Sequence, residues 1–229
     1  MSQAPFYVSP EQLMKDRADF ARKGIARGRS VVVLRYAEGI LFLAENPSPT
    51  LHKIAEIYDR IGFAAVGKYN EFETLRQAGV RYADLRGYSY HRTDVTARGL
   101  TNAYAQTLAG VFTTESKPFE VELVVAELGE SAAGDQLYRL SYDGSVIDET
   151  EHVAIGGQAD AITAKLDGLT TSTLPLGEVL VHGVGALAEA TSGPLPTSDL
   201  EAAVLDRTAP GHRKFRRLSE AALTEMRSS

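Results

Sequence analysis

The sequence predicts an α+β protein in four layers, helix–sheet–sheet–helix, with two mostly antiparallel sheets packed face to face. Three observations carry this. Apolar, β-branched runs come in pairs joined by short turns, which marks hairpins and disfavours the strand–helix alternation of a doubly wound parallel sheet. Helical patterns come two at a time between those strand blocks. No low-complexity stretch divides the 229 residues, so one domain over 10–229 is expected to follow a short, weakly anchored segment 1–9.

Ser9, Pro10 and Glu11 open the first helix with a hydroxyl cap, a proline at the first helical position and an acid near the positive end of the dipole. Leu13, Met14, Arg17, Phe20 and Ala21 continue at helical spacing, and Gly24 is expected to stop the helix, giving a span of 10–23. Ser30 to Tyr36 and Gly39 to Ala44 read as a hairpin, and Lys53–Tyr58 and Ile61–Gly67 as a second, turning at Asp59 and Arg60. Tyr69, Phe72, Leu75 and Val80 mark one helix face; Ala103, Tyr104, Leu108 and Val111 mark another. Three or four strands follow, of which Val121–Leu128, Gln136–Ser141 and Val153–Gly157 can be named, with a turn over Tyr142–Ser145. Helices over about 158–167 and 175–190, strands at 201–206 and 213–217, and a helix from Ser219 complete the order.

A formal charge of −6 and an isoelectric point near 5.4 argue against phosphate binding as the main business of the chain, so no nucleic-acid partner is expected. The basic cluster Arg213, Lys214, Arg216, Arg217 reads as a solvated face or a contact with an acidic neighbour. Absence of cysteine excludes disulfides, thiolate metal sites and a cysteine nucleophile. Residues 1–10 lack the basic and apolar segments of a secretory signal, and no apolar run approaches the ~20 residues of a membrane helix. A cytoplasmic protein with no membrane partner is the expectation.

Two glycine motifs invite a nucleotide. Gly62 to Lys68 comes within one residue of a phosphate-binding loop, but Tyr69 stands where Ser or Thr would hold magnesium, and the intervening residues look like strand. Gly183, Gly185 and Ala188 superficially match a dinucleotide fingerprint, yet Leu176, Val179, Leu180, Val184 and Leu187 keep helical spacing straight through them. Histidines 52, 91, 152, 182 and 212 show no paired ligand spacing, so no metal site is expected, and there is no Gly-x-Ser-x-Gly elbow.

Several longer runs carry a resemblance: 7–14, 21–34, 44–48, 53–70, 84–88 and 104–108 look like α-type subunits of the bacterial proteasome core, in the same order and over nearly the whole chain, most weakly over about 168–198. The resemblance implies the N-terminal-nucleophile hydrolase fold, which is the four-layer sandwich already read from the pattern. Catalytic members of that family expose an N-terminal threonine; in the register set by the following strand, Gly28 falls at that position here. A non-catalytic subunit is therefore implied. It would sit with identical copies in a seven-membered outer ring, against catalytic β-subunits. A hexameric ATPase would dock on it through C-terminal tails, unfolded proteins would pass through the ring, and no cofactor is implied.

By the same resemblance Lys53 lines a pocket between neighbours and pairs with an activator's C-terminal carboxylate, with Arg22, Gly28 and Gly67 around it. Ser2, Gln3, Ala4, Pro5, Phe6, Tyr7 and Val8 correspond to the gate, and Pro10 sets the turn at which this segment leaves the helix. An ordinary strand-edge lysine and a terminus without a role are the plainer alternatives. Two rival functions stay open: an active hydrolase of the same fold whose leader ends before Ser30, and a nucleotide-binding oxidoreductase or ATPase resting on the glycine motifs.

Overall fold

In the computed structural model, which describes residues 9–191 and 193–228, the first helix starts where the cap signal places it. The Ser9 side chain accepts a hydrogen bond from the Gln12 amide at 3.2 Å, and α1 runs over Pro10–Ile25. It passes through Gly24 and is capped by Ala26, two residues beyond the expected end. Gly24 is thus not a stop; a Cβ there would meet the carboxylate end of the Glu120 side chain, which lies close against this turn of the helix. Of the expected gate, Ser2, Gln3, Ala4, Pro5, Phe6, Tyr7 and Val8 lie outside the described residues, whereas Pro10 is the exposed first residue of α1.

The chain then forms β1 (Val31–Tyr36), β2 (Gly39–Glu45), β3 (Ile54–Tyr58) and β4 (Ile61–Gly67), followed by α2 (Tyr69–Ser89) and α3 (Ala97–Thr114). After them come β5 (Val121–Glu127), β6 (Gln136–Leu140), β7 (Val146–Glu149) and β8 (His152–Ile155), then α4 (Ala159–Leu166) and α5 (Leu176–Ala190). Strands β9 (Leu200–Asp206) and β10 (Phe215–Arg217) and helix α6 (Glu220–Ser228) close the order. The fourth strand of the middle block is β7, which no apolar run announces. It is an edge strand whose Val146 and Ile147 stay exposed, so no buried face imposes a pattern on it.

Two antiparallel five-stranded sheets result, ordered β10-β9-β2-β1-β8 and β3-β4-β5-β6-β7. Strand β1 explains the packing in miniature. Val31 and Val33 face the second sheet, alongside Phe42, Ile54, Val66 and Val124. Val32 and Leu34 face outward into a layer with Ile162, Val179, Leu180 and Leu223 of α4, α5 and α6. Both faces are buried, so the strand reads as a continuous apolar run and not as an alternation. On the other side, Phe63, Leu123 and Val125 pack against Phe72 of α2 and Leu100 and Tyr104 of α3. The four-layer αββα sandwich is thus as expected, with α6 joining the pair on one outer face.

Neither glycine motif forms a phosphate loop. Residues 61–67 are β4, hydrogen-bonded to β3 on one side and β5 on the other, so their amides are already used. Gly183 and Gly185 lie inside α5, and a Cβ on Gly183 would come within 3.1 Å of both Leu34 and Leu43. Close packing of helix on sheet accounts for Gly183.

Candidate functional site

The turn 26–30, between α1 and β1, brings the expected residues into register with the second sheet. The Gly28 amide donates to the Ile25 carbonyl at 2.8 Å, and the Gly28 carbonyl accepts from the Gly157 amide at 3.2 Å. A side chain on Gly28 would run into Val66, with the Gly67 nitrogen 3.3 Å from its Cβ. Gly67 itself has φ +115°, and a Cβ there would strike the Glu120 carbonyl, so the position admits glycine for two separate reasons. Gly28 therefore leaves room for Val66 and the Gly67 backbone, and Gly67 leaves room for the Glu120 carbonyl.

Lys53 precedes β3 and reaches the same turn: its Nζ donates to the Arg29 carbonyl at 2.6 Å. Burial lowers the ammonium pKa to about 8, and the Arg29 charge pushes the same way, while Glu45 and Glu201 oppose. Arg29 is in turn paired with Glu45 at 3.3 Å. The side chain is thus a half-buried cation with one backbone partner, which leaves two of its three donors for an incoming acceptor.

Arg22 stands apart from this cluster. Its guanidinium is two-thirds exposed, 3.4 Å from Asp19 and 5.8 Å from the centre of the Tyr142 ring. It lines a different concavity of about 420 Å³ with Glu122, Asp143, Asp160 and Gly157. Burial raises the pKa of Glu122 there, although its carboxylate accepts the Gly156 amide at 3.1 Å. The link to Gly28 is Gly157, which touches Ala26 and Gly28 together.

A residue that sequence reasoning missed organises the Lys53 side. Glu201 on β9 is buried, yet it accepts hydrogen bonds from the Lys53 amide at 2.9 Å, the Ile54 amide at 3.2 Å, Asn46 Nδ2 at 2.7 Å and Arg217 Nη1 at 2.8 Å. His52 Nδ1 lies 3.2 Å from the same carboxylate. The available signal was an acid beside the apolar run Ala202–Leu205 of the same strand, a pattern that demands partners. Its partner Arg217 belongs to the basic cluster, whose other members are also taken up internally. Arg213 pairs with Glu56 at 2.7 Å and Arg216 with Asp206 at 3.4 Å, and Lys214 donates to the Arg207 and Ala209 carbonyls. The acidic neighbours of that cluster are within the chain.

At the position where the resemblance puts the nucleophile there is a glycine whose backbone continues directly from a helix. Ser30, the rival nucleophile, is buried, and its Oγ accepts the Gln158 amide at 3.1 Å. Among the described residues no group of three His, Cys, Asp or Glu side chains could hold a metal, and no helix is long and apolar enough to cross a membrane.

A family model described as "Proteasome subunit" matches residues 25–204. The chain belongs to the proteasome subunit family, on its α-type branch. A protein named "Proteasome subunit alpha" from Xylanimonas cellulosilytica is 67% identical, over 98% of this chain and 96% of its own length. Proteins of the same name from Kineococcus radiotolerans (66% identical, 94% of both chains) and Streptomyces coelicolor (58%, 98% of this chain and 90% of that one) agree. The family fold is the two-sheet sandwich seen here. Membership on the α-type branch fits a glycine at residue 28.

Proposed function

We propose that this chain is a non-catalytic proteasome α subunit of the cytoplasm that forms seven-membered outer rings, restricts access to the chamber of the catalytic β rings, and docks a hexameric ATPase. The observation that carries this is Gly28: no hydroxyl is available where a threonine would attack, and a side chain at the position would run into Val66. Lys53 then serves as a fixed cation for the carboxylate at the end of an activator tail, with Gly28 and Gly67 allowing close backbone approach and Arg22 at the flank. Residues 2–8 form the gate and Pro10 directs them from the head of α1. Large side chains left exposed on α1 (Leu13, Phe20) and at the end of α2 (Leu85, Tyr88, Tyr90) support assembly, since neighbours in rings would cover such surface.

The test is co-assembly with the catalytic subunit followed by peptide hydrolysis. The chain alone should cleave nothing, and the mixture should form stacked rings visible by electron microscopy and cleave peptides. Cleavage by the chain alone, or an intact mass showing a mature chain that begins at Ser30, would overturn the assignment.

A further inference from the structure

Glu201 lies on β9 of one sheet and Lys53, 148 positions away, leads into β3 of the other, and the Lys53 amide donates to the Glu201 carboxylate. A buried carboxylate that gathers two backbone amides, an asparagine amide and a guanidinium is costly to place, and every one of its partners reports what it holds. Two of them are the amides of Lys53 and of the next residue. A third, Asn46, opens the loop 46–53 and also binds the Leu51 carbonyl at 2.8 Å, and its side-chain oxygen accepts the Ser48 amide at 3.2 Å. The fourth, Arg217, also donates to the Ile54 carbonyl at 2.6 Å. All these bonds converge on the few residues from which Lys53 projects.

We infer that Glu201 is the positioning residue for Lys53: its carboxylate fixes the backbone that aims the ammonium at the turn 28–30, so that the cation is in place before a carboxylate arrives. This rests on the reading of Lys53 as the docking cation. Prior fixing matters because ordering a long side chain and its loop at the moment of binding would subtract from affinity. The carboxylate has a second effect through charge. The groups facing Lys53 are Arg29 and Glu45 on either side of the first hairpin, Glu201 on β9, and, around Glu201 itself, His52 and Arg217. Glu201 is one of the two acids that favour the charged lysine, so neutralising it moves the lysine titration to lower pH.

The experiment uses the assembled complex with Glu201→Gln and Glu201→Asp. Three quantities are read: hydrogen exchange of the Lys53 and Ile54 amides, the pH midpoint of Lys53 acylation by acetic anhydride (with exposed Lys165 as internal standard), and the Kd of the purified hexameric ATPase from the same organism. In Glu201→Gln, exchange and Kd should each rise about tenfold, and the acylation midpoint should fall. Glu201→Asp keeps the charge and withdraws the oxygens by one methylene, so exchange and Kd should rise while the midpoint stays. A residue that only stabilised the fold would lower Tm without moving that midpoint. Wild-type exchange and midpoint in Glu201→Gln overturn the inference, whatever the Kd does. If exchange and midpoint move but Lys53→Ala and Glu201→Gln both dock the ATPase normally, Glu201 positions Lys53 and the docking reading is what fails. Should the glutamine variant not assemble, exchange in the aspartate variant decides.

Discussion

Lys53 is a cation whose charge is only just retained. Its pKa of about 8 lies well below the ordinary lysine value, chiefly because the ammonium is desolvated. The charged form therefore exists below pH 8 and is lost as pH rises through it. If the ammonium receives an activator carboxylate, ATPase affinity should be flat up to about pH 7 and fall progressively above pH 8, measured by titration at fixed salt. Lys53→Arg keeps its charge over the whole range and should flatten that profile. A wild-type profile already flat to pH 9.5 would mean that another group carries docking. Gly67 carries a prediction of a different kind. With φ +115° and the Glu120 carbonyl where a Cβ would sit, Gly67→Ala should cost more than about 2 kcal/mol and lower Tm by roughly 5 °C in calorimetry. These residues were legible because they lie within the runs that carry the resemblance. Glu201 was not: its strand could be read, but a linear pattern does not reveal that a carboxylate there meets amides on the opposite sheet.

Elements were legible where one physical cause set the pattern and illegible where two overlapped. Helix α5 kept its 3.6-residue spacing through two glycines, so periodicity outweighed a fingerprint that would need a turn. Strand β4 likewise kept its apolar run through a near-match to a phosphate loop. Gly24 was misread because a glycine near a helix end can mark a left-handed stop or simply lie within the helix, and here α1 runs on to Ile25. Strand β7 lacked a buried face to announce it. The cap of α1 had a single cause and stood as read. Ser9→Ala should therefore remove the bond to Gln12 and cost about 1 kcal/mol, seen as faster hydrogen exchange over residues 11–13 with the core amides unchanged. Because Ser9 is the residue between the proposed gate and α1, the same variant should also raise basal peptide hydrolysis in the assembled complex. A rise in exchange with no change in hydrolysis would separate the cap from the gate.

Over the whole molecule, the proposed gate and the proposed docking cation are separated in the chain by α1 and the turn that follows it. The gate precedes α1, and Lys53 sits at the far side of the turn that follows α1, where Gly28 and Arg29 meet the second sheet. An activator bound at Lys53 can open the gate only by contacting or shifting something that binds differently in the two states, and α1 with its following turn is the structure that joins them. This arrangement predicts separable defects. Deleting residues 2–8 should raise hydrolysis of long peptides by the assembled complex while leaving ATPase affinity as it is. Lys53→Ala should weaken ATPase docking while leaving basal hydrolysis as it is. Combined, they should give fast, ATPase-independent peptide cleavage together with failure to degrade folded, marked proteins, because an open channel does not unfold a substrate. Peptide hydrolysis by the double variant that still rises on adding ATPase would show that docking reaches the ring through some other group, and weakened docking in the 2–8 deletion or raised basal hydrolysis in Lys53→Ala would show that gate and pocket are one device and not two.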